Sequence, residues 1–247
     1  MDSNSVIEIQ NLTKDYGNST GIFDVTLGIK KGEVFGFLGP NGAGKTTTMR
    51  HLLGFIKSDS GTCKIAGLDC WDKPQEIQKI IGYIAGEIAL PEGMNGQMLC
   101  EQIAKMRGAD IKRVKELCEY FVINPNTKIK RMSKGMKQKI ALVLAFMHDP
   151  DILLLDEPTS GLDPLMQEKF VELILKEKKR GKTIMLSSHI FNEVEKTCDR
   201  VMIIKHGRII AEIDMQGIEK RKPEFVVTKF SLEQYFMEYY KREGQGQ

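Results

Sequence analysis

The sequence predicts an α/β fold built on a parallel sheet, and three observations predict it. The apolar run Val34-Phe35-Gly36-Phe37-Leu38 leads directly into Gly39-Pro40-Asn41-Gly42-Ala43-Gly44-Lys45-Thr46-Thr47, a G-x-x-x-x-G-K-T pattern that joins a strand to a helix. Two later runs, Ile152-Leu153-Leu154-Leu155 and Thr183-Ile184-Met185-Leu186, have the unbroken hydrophobicity of strands covered on both faces. Between them an amphipathic helix from Leu165 to Lys179 supplies the crossover that a parallel pair needs. Those two strands are expected to flank the one at 34–38.

The other elements follow in order. Residues 6–9 and the alternating Val25-Thr26-Leu27-Gly28-Ile29 read as half-buried strands, and Lys31-Gly32-Glu33 as the turn that follows. A helix is expected from Thr46 to about Phe55. Strands at Cys63 to Ala66 and Ile80 to Ile84 are separated by Gly67-Leu68-Asp69 and a short helical stretch ending near Lys79. From about Asn95 to Met147 the texture changes. Ile111, Val114, Leu117, Cys118, Phe121 and Val122 recur at helical spacing, so residues 95–147 read as an inserted helical subdomain. Val201 to Ile204 and Ile209 to Ile213 read as a hairpin around His206-Gly207-Arg208. The main domain is thus expected over 1–213. Residues 214–247 are expected to form a linker, with the basic run Lys220-Arg221-Lys222, and an amphipathic helix carrying Leu232, Tyr235, Phe236 and Tyr239 on one face.

Composition narrows the function. In 247 residues, 36 basic side chains face 33 acidic ones, a net charge of +3, so no nucleic-acid partner is expected. Five cysteines, at 63, 70, 100, 118 and 198, form no C-x-x-C pair; reduced thiols in a cytosolic protein are expected rather than a disulfide framework or a zinc site. Met1-Asp2-Ser3-Asn4-Ser5 lacks the basic and apolar regions of a leader, and the longest apolar run, Ile140 to Met147, is far short of a membrane span. A soluble chain is expected, with any membrane role exercised through a partner.

The chemistry is concentrated in a few segments. Glycines at 39, 42 and 44 let the backbone fold into a nest of inward N–H groups that suits phosphate oxygens. Lys45 adds a charge for the β- and γ-phosphates, Thr46 a hydroxyl for Mg²⁺, and the helix its positive end. Asp156 and Glu157 close the strand at 152–155. Paired carboxylates there need a cation, a proton or a water to justify them. Asp156 would hold Mg²⁺ through its hydration shell, while Glu157 would orient or deprotonate the water that attacks the γ-phosphate.

With these residues in place the chain resembles the nucleotide-binding subunits of ABC transporters over roughly residues 6–213. Gly39 to Thr47 is similar to the Walker A motif, Ile152 to Glu157 to Walker B, and Ser160-Gly161-Leu162-Asp163 to the D-loop. Met132-Ser133-Lys134-Gly135-Met136 occupies the place of the signature L-S-G-G-Q, and His189 that of the switch histidine. The resemblance implies a P-loop NTPase core with an antiparallel β subdomain and an inserted helical subdomain, binding ATP and Mg²⁺. Residues 39–47, Ser133, Gly135 and Asp163 would then contact ATP, Tyr16 would stack on adenine, and Glu157 and His189 would be catalytic. Ser133 read alone is a helix N-cap, and His189 and Tyr16 read alone are structural. The implied partners are a second ATPase subunit, forming a homodimer with two shared sites, and an integral-membrane permease. The implied location is cytoplasmic, on the inner face of the cell membrane.

Two departures bear on this reading. Where the family carries a glutamine after the strand at 81–84, this chain has Ala85-Gly86-Glu87, and Glu87 is the side chain left to reach the metal. In the signature, Lys134 and Met136 replace a glycine and the glutamine; Lys134 either faces solvent or attracts the γ-phosphate bound by the other subunit. Both departures, with the short helical subdomain, resemble ATPase subunits of bacterial ABC-2-type exporters, which serve drug, bacteriocin or antibiotic efflux. A nucleic-acid-associated ATPase of the same superfamily is an alternative, but such relatives carry tandem cassettes or a coiled-coil insertion. A small-molecule kinase or GTPase sharing only the phosphate loop is another, opposed by Ser133, Asp163 and His189 together.

Overall fold

Alternating apolar residues build the first sheet. Ile7, Ile9 and Leu12 of β1 (Ser5–Asp15) and Ile22, Val25, Leu27 and Ile29 of β2 (Gly21–Lys30) are buried, and the two strands pair antiparallel. The inward face skips from Ile9 to Leu12 because the register shifts there, with Asn11 at a φ of 47°. β3 (Val34–Leu38) is buried at every residue and leads through the glycine-rich loop into α1 (Lys45–Leu52). β4 (Ser60–Ile65) and β5 (Leu68–Asp69) complete a four-stranded sheet in the order β2-β1-β4-β5. The computed structural model describes residues 5–215 and 232–233.

α2 (Pro74–Ile80) runs straight into β6 (Ile81–Ile84). The helices α3 (Gly96–Arg107), α4 (Ile111–Tyr120) and α5 (Lys134–Phe146) then precede β7 (Ile152–Asp156). Asn95, Asp110 and Ser133 cap these helices through their side chains, accepting from Met98, Lys112 and Met136. α6 (Pro164–Lys179), β8 (Thr183–Ser188), α7 (Phe191–Thr197), β9 (Arg200–Lys205) and β10 (Arg208–Asp214) follow.

The second sheet has six strands in the order β10-β9-β3-β8-β7-β6. All neighbours are parallel except the β9–β10 hairpin. The expected strand order needs one correction. β8 lies beside β3, but β7 does not; β9 takes the other side of β3. Hydrophobicity marks both strands as buried without ordering them. The β7-α6-β8 crossover makes those two adjacent, and the β8-α7-β9 connection then steps over β3.

Successive residues of the central strands enter opposite cores. Val34, Leu38, Leu153, Leu155, Ile184 and Leu186 face the helices α3 to α7. Phe35, Phe37, Leu154, Met185, Met202 and Ile204 face α1 and the antiparallel sheet. The β-strand ends that carry chemistry lie in register, Leu38 opposite Ser188 and Ser187 opposite Asp156.

α1 ends at Leu52, three residues before the expected end. Gly54, at a φ of 68°, donates to His51 at 3.0 Å and Phe55 to Arg50 at 2.9 Å, a left-handed glycine stop that satisfies the last carbonyls. Gly67-Leu68-Asp69, expected as a separator, contributes the short strand β5. Leu232 is fully buried against the helical side, and its N–H donates to Glu195 on α7. Tyr235, Phe236, Tyr239 and Lys220-Arg221-Lys222 lie outside the described residues.

Candidate nucleotide site

The loop at 39–47 closes on itself around Lys45. Gly42 and Gly44 sit at φ values of 79° and 115°, conformations that a side chain would strain. A Cβ on Gly44 would also lie 2.7 Å from Ile22 Cγ2, so β2 braces the loop from below. The Gly207 N–H donates to Ala43 at 2.9 Å from the β9–β10 hairpin. Pro40, Thr46 and Thr47 are half-buried, Ala43 is buried, and Asn41 and Gly42 are exposed. α1 has no side-chain cap at its N-terminus, which leaves its first amides for an anion. Lys45 is 5% exposed. Its Nζ donates to Gly39 O at 2.6 Å and Pro40 O at 3.2 Å, and stands 3.2 Å from Glu157 Oε1. The last contact is an ion pair rather than a directed hydrogen bond, since Oε1 accepts none.

The carboxylates stand across β8 from this loop. Asp156 is fully buried. Its Oδ1 accepts a short hydrogen bond from Ser187 Oγ, while Oδ2 is buried with no partner. Asp156 also bears on Tyr83, whose hydroxyl is pushed up to about 12 by burial first and by the Asp156 charge second. Glu157 adopts a φ of 48°, held by its N–H on Ser187 O at 3.1 Å and Ser187 Oγ at 3.2 Å. Its Oε2 lies 2.6 Å from Nδ1 of His189, which is exposed on the opposite side. Lys45, Glu157 and His189, from three separate elements, therefore form one chain of polar contacts at the C-terminal edge of the sheet.

The side chains fit a cation shared with a nucleotide. A buried carboxylate oxygen left without a partner, as Asp156 Oδ2 is here, is costly. Among the described residues no cluster of three His, Cys, Asp or Glu forms a metal site; a cation at Asp156 would draw most of its ligands from water, phosphate and Thr46, as Mg²⁺ does. Gly86 is the residue that faces Asp156. A Cβ there would be 3.0 Å from Oδ2. Glu87, expected at the metal, is exposed.

The signature segment packs elsewhere. Ser133 accepts from the Met136 N–H at 3.2 Å as the N-cap of α5. Lys134 is exposed, but its Nζ donates to Ser160 Oγ at 2.9 Å. A Cβ on Gly135 would come within 2.6 Å of Gly161 O, and the buried Gln138 donates to Pro158 O at 2.7 Å. Asp163 caps α6 by accepting from Met166 N–H at 3.0 Å. So within this chain the start of α5, through Lys134, Gly135 and Gln138, packs on the loop that runs from Pro158 to Asp163, while residues 39–47 gather around Lys45. Tyr16 is 52% exposed, on the turn that enters β2, with Lys14 Nζ 6.0 Å from its ring centre. Ser187 had no assigned role in the sequence, Ser160 was read only as the first residue of the D-loop, and Gly86 only as part of the segment that replaces the family's glutamine. The available signal for Ser187 was a hydroxyl at the apolar strand's end.

A phosphate loop at a strand's end, a buried aspartate one strand beyond β8, and a glutamate between lysine and histidine define a P-loop nucleotide hydrolase site. Comparison with known proteins places it more closely. Residues 22–160 match the ABC transporter family. The chain is 36% identical over 231 residues to the bacitracin transport ATP-binding protein BcrA of Bacillus licheniformis, covering 92% of this chain and 76% of that one. A solved ATP-binding subunit of an ABC transporter superposes with a TM-score of 0.83 at 29% identity, over 96% of this chain and 100% of the other. A dimeric bacterial ABC transporter cassette gives a TM-score of 0.76 at 27% identity, over 85% and 98%. The chain belongs to the ABC transporter family as an ATP-binding, ATP-hydrolysing subunit, with the ABC ATPase fold. Among the described residues no helix is long and apolar enough to cross a membrane.

Proposed function

We propose that two copies of this chain pair head to tail, each closing the other's ATP with Ser133 and Gly135, and that the cycle drives a separate permease from the cytoplasmic face of the membrane. The observation that carries this reading is the division of the site: the phosphate loop and the signature of one chain make their contacts in different places. The Ser133 hydroxyl and the first amides of α5 suit an anion from outside the chain. The dimeric cassette of similar fold supports the pairing, and the transport name of the relative supports a permease partner.

Within each site residues 39–47 would wrap the phosphates, with γ-phosphate oxygens competing against the Gly39 and Pro40 carbonyls for Lys45. Tyr16 would stack on the adenine. Thr46 and Asp156 would hold Mg²⁺, whose charge stabilises the phosphate oxygens. Glu87 lacks the support that the orphaned Oδ2 gives Asp156, and would reach the cation only by an inward turn of its loop. Glu157 would take the proton of the attacking water, and His189 would donate to the γ-phosphate. Asp163, capping α6, would set the loop that meets the partner.

Mixing variants tests the shared site. Ser133→Arg is expected to bind ATP without hydrolysing it, and Lys45→Ala to fail in binding. Mixed together they should regain about one working site per heterodimer. An inactive mixture in which heterodimers are demonstrably present would refute the sharing.

A further inference from the structure

Glu193 stands in the first turn of α7, four residues beyond His189, and is 2% exposed. Its Oε2 accepts from Ser188 Oγ at 3.1 Å. That same hydroxyl accepts from the Ile190 N–H at 2.9 Å. The turn 188–190 is thereby tied on both sides of His189 to one buried carboxyl. The turn holds His189 with Nδ1 2.6 Å from Glu157. Oε1 of Glu193 is buried and makes no directed hydrogen bond, although the Thr159 hydroxyl, buried two residues after Glu157, lies close enough to act on the carboxyl.

We propose that Glu193 is a positioning residue, which fixes the turn through Ser188 so that His189 meets Glu157 and the γ-phosphate. A buried carboxyl is a costly way to fill space, and an apolar residue of similar size would pack more cheaply. What an apolar residue would not supply is an acceptor for Ser188. Without one, the serine hydroxyl is free to rotate away from Ile190 and the exposed His189 is held only by its contact with Glu157. Burial raises the pKa of Glu193, and the nearby Glu157 charge adds to the rise; a neutral acceptor at this position therefore does the same work. The inference rests on the reading of His189 as a γ-phosphate contact.

Steady-state ATP hydrolysis by the full chain tests it with five variants. Glu193→Ala should lower kcat by about 10-fold or more while KM for ATP stays within about 2-fold, because the phosphate loop is untouched. Glu193→Gln, whose amide oxygen still accepts from Ser188, should retain activity within about 3-fold. Ser188→Ala, which removes the relay hydroxyl and no carboxyl, should reproduce the kcat loss with KM for ATP again within about 2-fold. Combining Glu193→Ala with His189→Ala should be no slower than His189→Ala alone, since both remove one function. A further loss in that double variant, or full activity of Glu193→Ala beside an impaired His189→Ala, overturns the positioning role alone. Full activity of His189→Ala overturns the His189 reading and the positioning role with it.

Discussion

At the scale of single residues, Glu157 carries the most constraint. Its left-handed φ of 48° is unfavourable for a glutamate, and the Ser187 hydroxyl that helps hold it also donates to Asp156 Oδ1. Glu157→Gln keeps the shape and removes the base. It is expected to bind ATP, to hydrolyse it at least about 100-fold more slowly, and to accumulate as a dimer on size exclusion with ATP. Normal turnover would remove Glu157 from proton transfer. Glu193 gives a second prediction, in stability. Its folded pKa is raised by burial, so as pH rises the unfolded chain gives up the proton first. The carboxyl therefore opposes folding above the ordinary carboxylate range and not below it. Glu193→Gln should raise the melting temperature at pH 7 and leave it nearly unchanged near ~pH 4. An equal effect at both would show that Glu193 is charged to the same extent folded and unfolded.

At the scale of elements, the Ser133 cap was legible and the sheet order was not. Ser133, Asn95 and Asp163 are polar residues just before apolar periodicity, and each accepts the amide three residues on. Nothing in the Ile152–Leu155 run states that β8 intervenes between β7 and β3, because burial on both faces looks the same at any interior position. The end of α1 was missed for a related reason. Leu53 and Phe55 continue the apolar pattern, and only Gly54 marks the stop. Gly54→Ala would force a side chain into a φ of 68° and against Pro74. It should cost about 1 kcal/mol or more in a denaturant titration, with ATP binding retained by any folded fraction. Gln138 links two elements directly. Gln138→Ala leaves the Pro158 carbonyl without its buried donor, and a loss of about 1–3 kcal/mol is expected from the same titration.

Across the whole molecule, the phosphate loop and the carboxylates could be read from sequence because each is a short run on one strand's end. Gly86 beside Asp156 could not, since it depends on how β6 ends against β7. Nor could the Lys45–Glu157–His189 chain, whose members come together only through the strand order. The sheet that assembles them separates two cores, and the helical one is larger. Phe170 is fully buried there, on α6, and Phe170→Ala is expected to cost about 3–5 kcal/mol by thermal unfolding.

The close approach of Gly135 to Gly161 has a mechanical consequence. A side chain has no room between the two backbones there, and Lys134 and Gln138 bond Ser160 and Pro158 on either side, so the seam has little slack. Whatever displaces the segment after Glu157 must carry the start of α5 with it by a comparable distance. In a head-to-tail pair, loss of phosphate at one nucleotide would therefore tug on the cover of the other, and the two sites would be geared together rather than free to open one at a time.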